Sequence, residues 1–127
     1  MANATLIILL ALLQYVWFSM RVGMARGKYK VDAPACSGDE NFERLFRVHM
    51  NTLEQLIVFI PAMYAFAFYL SPIWVIGPGV VYLLGRFLYA SEYTKDPKTR
   101  TPGMALTLLS NVVLILGALF GVLTGMF

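Results

Sequence analysis

Apolar residues along the chain fall into four long blocks separated by short polar stretches, and that pattern predicts four helices. The first block runs from Leu6 to Met20 without a charge. The second runs from Leu56 to Leu70, and the third from Ile73 up to Arg86. The fourth is uncharged from Gly103 to Phe127. A helix needs about 20 residues, at about 1.5 Å each, to cross the hydrocarbon of a bilayer. The two middle blocks reach that length only when extended into their polar flanks, as Arg47 to Leu70 and Ile73 to Tyr93. The extension carries Asn51, Glu54 and Arg86 to membrane depth.

The ends of the helices are written in local chemistry. Ser37-Gly38-Asp39-Glu40 has the spacing of a capping box, so the second helix is predicted to start near residue 40, ahead of the membrane. Ser71-Pro72 marks a tight turn that makes helices two and three an antiparallel hairpin. Pro78-Gly79 predicts a kink near the start of helix three. Thr101-Pro102 reads as an N-cap followed by a proline at the first helical position. Gly117, Gly121 and Gly125 recur every four residues, a spacing that lets membrane helices approach closely, within a chain or between chains.

Composition turns four helices into a membrane protein. The chain is 59% hydrophobic and only 13% charged, against about 25% charged residues in a soluble domain. The expected fold class is an all-α membrane protein, a single four-helix transmembrane domain over residues 1–127. The single cysteine, Cys36, allows no internal disulfide and no cysteine-based metal spacing, and no metal is expected. The net charge of +3 does not imply a nucleic-acid partner, because the basic residues sit between apolar blocks. Arg21, Arg26, Lys28, Lys30, Arg44 and Arg47 flank the first loop, and Arg86, Lys95, Lys98 and Arg100 the third. The positive-inside rule then puts both of those loops in the cytoplasm and both termini outside. Ala33-Pro34-Ala35 has the outline of a cleavage site, but no Lys or Arg precedes the first block, which is therefore expected to remain as a span.

Depth and angle bring the polar residues together. Measured from the Ser71-Pro72 turn, Glu54 and Tyr89 both lie roughly 25 Å away, and Asn51 and Tyr93 roughly 30 Å. Around the second helix, Arg44, Arg47, Asn51 and Glu54 share a stripe and His49 points away from it. Around the third, Tyr82, Arg86, Tyr89 and Tyr93 share a stripe. Each piece has a plain structural reading. Glu54 and Arg86 could form an ion pair that locks the hairpin, Arg44 and Arg47 could meet headgroups, the tyrosines could form an interfacial belt, and His49 could make an interhelical hydrogen bond. Charges at membrane depth are costly and usually mark function, and here they gather into one pocket open to the cytoplasm. Guanidinium groups suit carboxylates, and Glu54 suits an ammonium. Glutathione has that charge pattern, as other ligands do, and its thiol reacts once a cation favours the thiolate. Trp17, Phe18, Phe59, Tyr64, Phe66 and Phe68 either line a cleft for an apolar second substrate or pack facing lipid.

The run Phe42-Glu43-Arg44-Leu45-Phe46-Arg47-Val48-His49-Met50-Asn51-Thr52-Leu53-Glu54 resembles the signature of the membrane-associated proteins in eicosanoid and glutathione metabolism, the MAPEG family. Gly85-Arg86-Phe87-Leu88-Tyr89, continuing through Tyr93 to Arg100, is similar to that family's third helix and following loop. Gln55 stands where some eukaryotic members have an aromatic, and the short loops resemble bacterial-type microsomal glutathione transferase-like members. The resemblance implies a homotrimer that binds glutathione between subunits. Arg47, Asn51, Glu54, Tyr89 and Tyr93 would come from one subunit, and Arg26 and His49 from the next. It implies that Arg100, with Tyr93, stabilises the thiolate.

The expected activity is a glutathione-dependent transferase or peroxidase acting on lipophilic electrophiles or lipid hydroperoxides in a bacterial inner membrane. A non-catalytic lipid-binding member of the same fold is the alternative. A small four-helix transporter is a third, disfavoured because Leu6 to Met20 lacks the acid such a protein would carry.

Overall fold

The computed structural model describes residues 1–126, and these form a bundle of four helices. Helix α1 spans Ala2–Tyr29, α2 Glu40–Tyr69, α3 Ile76–Lys95 and α4 Thr101–Met126, with a single 3₁₀ turn at Pro97–Thr99. The expected end of the fourth span at Phe127 lies outside the described residues. Helices α1, α2 and α4 are long and apolar enough to cross a membrane. Helix α3, at 20 residues, has the length of a span but is less apolar, because it carries Arg86 and Glu92. All four helices turn large apolar side chains outward, among them Leu13, Ile57, Phe87 and Leu108. A water-facing bundle would leave far less apolar surface uncovered, and the chain is an all-α membrane protein.

The connections follow the local chemistry with three corrections. The cap of α2 is Asp39, whose Oδ1 accepts from Asn41 N at 2.8 Å and Phe42 N at 3.1 Å. Ser37 is therefore not the cap, and Glu40, freed from a capping box, pairs with Arg44. After α2, Ser71 Oγ accepts from the backbone N–H groups of Ile73 and Trp74. That turn consumes residues through Val75, so α3 starts at Ile76 and Pro78 falls in its first turn, where a missing N–H breaks no helical bond. At α4, Met104 N donates to Arg100 O at 3.0 Å. Arg100 is thus the residue that opens the helix, and Thr101 and Pro102 lie inside its first turn.

Helix α1 lies along α2, α4 packs on both α2 and α3, and Asn3 Nδ2 donates to Pro72 O at 3.0 Å, tying the start of α1 to the α2–α3 turn. Below the turn the core is apolar. Phe59 and Tyr82 stack with ring centroids 3.7 Å apart, amid Ile7, Met63, Phe66 and Leu114. Two of the three spaced glycines are explained within the chain: a Cβ at Gly117 would overlap the Phe66 ring, and one at Gly121 the Tyr69 backbone. Gly125 meets no atom within 4 Å. Of the aromatics whose role was open, Phe18, Phe59 and Phe66 are core, whereas Trp17 and Phe68 face outward.

Candidate functional site

The far end of the bundle from the Ser71 turn is organised around one buried cation. Arg86 is 1% exposed. Its Nη1 donates to Asn51 Oδ1 at 2.7 Å across the α2–α3 contact, and its guanidinium carbon lies 4.5 Å from the centre of the Tyr89 ring. Tyr89 stacks in turn on Tyr93 at 5.3 Å, one helical turn further along α3. Charge-assisted hydrogen bonding and the ring face together stabilise a cation that apolar surroundings would otherwise expel.

The start of α4 is pressed against the same place. A Cβ at Gly103 would overlap the backbone of Tyr89, so a glycine is what lets α4 begin directly beside α3. That approach brings Arg100 and Thr101 into line with Asn51, Gln55 and Arg86 around a cleft of about 370 Å³. Met104 and Leu108 form its apolar side. The cleft is thus rich in hydrogen-bond donors on one wall and greasy on the other.

Of the residues singled out from the sequence, Asn51, Arg86 and Arg100 line this cleft, and Tyr89 and Tyr93 back it through Arg86. Arg47 and Glu54 share the α2 face, where Arg47 Nη1 lies 3.3 Å from Glu54 Oε1 and both side chains are half exposed. The Glu54–Arg86 ion pair considered from the sequence is therefore not the pairing the chain makes: Glu54 goes to Arg47, and Arg86 to the neutral Asn51. Residues 47 and 54 lie seven apart and so two turns along one helix face, the stripe they were expected to share. Arg44 does not reach outward as expected. It donates to Lys95 O at 3.1 Å and so clamps the carbonyl end of α3, where the helix dipole favours a cation.

Two candidates sit apart from the cleft within the chain. Arg26 Nη1 donates to Ala35 O at 2.8 Å and Val31 O at 3.4 Å, and its guanidinium covers the Phe42 ring. It braces the loop after α1. His49 stacks on Tyr15 with centroids 5.0 Å apart, and its buried Nδ1 has no partner among the described residues.

The structure also adds polar residues that the pattern reading passed over. Asn111 Nδ2 donates to Gln55 Oε1 at 3.0 Å, Ser110 Oγ donates to Pro78 O at 2.6 Å, and Gln14 Nε2 donates to Leu83 O at 3.1 Å. Lone amides inside charge-free blocks are themselves a signal of a membrane-buried polar site.

Comparison with known proteins places the chain in a family. The MAPEG family model matches residues 4–120, a stretch that holds every residue of the cleft. An uncharacterized protein of Synechocystis sp. is 46% identical, over 93% of this chain and 86% of its own length. Human microsomal glutathione S-transferase 2 is 37% identical, over 87% of this chain and 76% of its own. Bovine leukotriene C4 synthase is 28% identical, over 72% of this chain and 61% of its own.

Proposed function

This chain belongs to the MAPEG family, and on that premise we propose that it is a membrane-bound glutathione transferase acting on lipophilic electrophiles or lipid hydroperoxides. Relatives named as glutathione transferases support the general class. The observation that carries the finer reading is the cleft that unites Arg100, Arg86 and Asn51 with an apolar wall. A tripeptide thiol can be held by the charged side while an apolar partner arrives along the greasy one.

Each residue then has a role set by its chemistry. Arg100 sits at the N-terminus of α4, where the helix adds partial positive charge. A guanidinium there favours the thiolate of glutathione over the thiol, whose ordinary pKa of roughly 8.5 leaves little nucleophile at neutral pH. Tyr93 supplies a second donor to the sulfur, and Tyr89, buried behind Arg86, stacks on Tyr93 and sets its place. Arg47 takes a glutathione carboxylate, Asn51 its amide backbone and Glu54 its ammonium. The half-exposed Arg47–Glu54 pair costs little to open, since exposed ion pairs contribute about 0–1 kcal/mol, so a zwitterionic ligand can exchange one partner for the other. Holding thiolate and electrophile side by side supplies the remaining acceleration by proximity.

Arg26 and His49 complete the site from a neighbouring subunit of a homotrimer. Both lie away from their own chain's cleft, as residues serving a neighbour would. The first and third loops face the cytoplasm of a bacterial inner membrane, both termini face the opposite side, and glutathione enters from the cytoplasm.

The test is turnover of glutathione by the purified protein with a benzyl halide and with a lipid hydroperoxide, offered separately. Glutathione-dependent consumption of either supports the transferase or peroxidase arm. A folded protein that consumes neither is a non-catalytic member. For the shared site, an Arg47→Ala subunit mixed with an Arg26→Ala subunit should regain part of the activity each has lost. Verified mixed trimers with none regained would put the whole pocket in one chain.

A further inference from the structure

One side chain of the cleft has no part in the glutathione roles above, yet a buried amide on another helix holds it. Gln55 follows Glu54 on α2 and lines the same cleft as Arg100 and Arg86. Its Oε1 accepts from Asn111 Nδ2 at 3.0 Å. Asn111 is 4% exposed and belongs to α4, so this amide pair bridges two helices below the arginines. With Oε1 bonded to Asn111, the N–H groups of this cleft-lining side chain have no partner among the described residues. The apolar wall of Met104 and Leu108 stands on the α4 side of that same space.

We propose that Gln55, held by Asn111, is a specificity-determining donor that selects lipophilic electrophiles carrying a carbonyl oxygen conjugated to the reacting carbon. The inference rests on the transferase reading and names its substrate class. Such a molecule has an apolar body for Met104 and Leu108 and one acceptor oxygen for the Gln55 amide. In the reaction, the glutathione sulfur donates an electron pair to the β-carbon and forms a C–S bond. The carbon–carbon π pair shifts to make an enolate, and the negative charge develops on the oxygen. A proton from water then reaches the α-carbon, replacing the thiol proton released when the thiolate formed, so nothing is oxidised or reduced. A donor already aimed at that oxygen bonds the enolate more strongly than the ground-state carbonyl, which is how a fixed amide accelerates the step. An alkyl halide has no such oxygen and gains nothing from Gln55.

Two measurements test this. The first is the ratio of kcat/KM for an α,β-unsaturated ketone to that for a benzyl halide, with the KM for glutathione read alongside. Gln55→Leu should lower the ratio about tenfold or more, and Asn111→Leu, which releases the amide, should lower it less. Gln55→Glu keeps the size and the acceptor for Asn111 but has no N–H to give, so it should lower the ratio as Gln55→Leu does. The second is the infrared carbonyl stretch of a bound saturated ketone, isotopically labelled at the carbonyl, which needs no turnover. It should move to lower frequency in the unaltered protein and move back in Gln55→Glu. A constant ratio with a raised KM for glutathione would overturn the inference, because Gln55 would then serve glutathione. A shift retained in Gln55→Glu would also overturn it. A shifted stretch that depends on Gln55, in a protein that turns over no electrophile, would sustain the carbonyl site and remove the transferase reading instead.

Discussion

The two ends of this bundle are joined differently: neutral ties such as Asn3 on Pro72 O accompany the packing near the Ser71 turn, and charged side chains cross between helices at the other end. Near the Ser71 turn, helices meet through rings and glycines: Phe59 on Tyr82, Phe66 in the notch of Gly117, and the Tyr69 backbone against Gly121. At the other end they meet through polar side chains: Arg86 on Asn51, Arg44 on Lys95 O, Asn111 on Gln55. The apolar end shows that this chain can join its helices without charge. Polar joints in a membrane bundle are no stronger than good packing, and a buried charge is costly to desolvate. Stability alone therefore does not account for their concentration at one end, which agrees with the ligand-binding role proposed for the cleft.

The contrast can be broken most severely at the apolar end. Gly121→Leu forces a side chain into the backbone at Tyr69, where neither partner can turn aside. Overpacking costs about 1–3 kcal/mol or more, and a backbone obstacle puts this variant at or above the top of that range. Thermal unfolding in detergent, followed by circular dichroism, should show a large loss of stability. Gly125→Ala, where nothing lies within 4 Å, should show none. Equal effects at the two glycines would mean that the α2–α4 contact is not as described.

At the polar end, Asn51→Leu leaves the buried Arg86 guanidinium without its 2.7 Å acceptor. Hydrogen bonds to charged groups contribute roughly 1.5–3 kcal/mol, so a loss in that range is expected in the same unfolding measurement. Adding Arg86→Met should recover part of it, because the unpaired charge is then gone. A double variant as unstable as the sum of the two single ones would mean that Asn51 and Arg86 act separately. The smallest effect is expected outside both ends, at the cap of α2. Asp39→Ala removes the acceptor for two backbone N–H groups and should cost about 1 kcal/mol. Ser37→Ala should cost nothing measurable, since Asp39 is the residue that caps.

The sequence was most informative where one physical effect dominates. Long charge-free blocks can only be buried in lipid or protein, so the number of helices was legible, and the capping-type run from Ser37 to Glu40 marked the start of α2 near residue 40. So was the meeting of α2 and α3 at the level of Asn51, because both helices can be measured from one turn. Boundaries failed where two residues could do the same job. Ser37 and Asp39 both offer a capping oxygen, and Thr101 lost its expected capping place when the helix opened one residue earlier. The partner of Arg86 failed for a similar reason. Opposite charge favoured Glu54, but Asn51 lies within reach and Glu54 finds Arg47 on its own helix face. The Gln55–Asn111 bridge joins residues 56 apart in the chain, and no periodicity reports a contact between α2 and α4. Gly103 shows the same limit: as a lone glycine it is unremarkable, and only the crossing of α3 and α4 reveals that it admits Arg100 to the cleft.

The central claim is that the polar end exists to hold glutathione as a thiolate, with Arg100 at its sulfur. The direct measurement is the ultraviolet difference spectrum of glutathione bound to folded protein, compared between the unaltered chain, Arg100→Ala and Arg47→Ala. Thiolate absorbance is expected with the unaltered chain. Arg100→Ala should abolish it while glutathione still binds. Arg47→Ala should weaken binding and restore the absorbance when more glutathione is added. Thiolate absorbance undiminished in Arg100→Ala would remove Arg100 from the sulfur, leaving it an anchor for lipid headgroups and the thiolate to another residue.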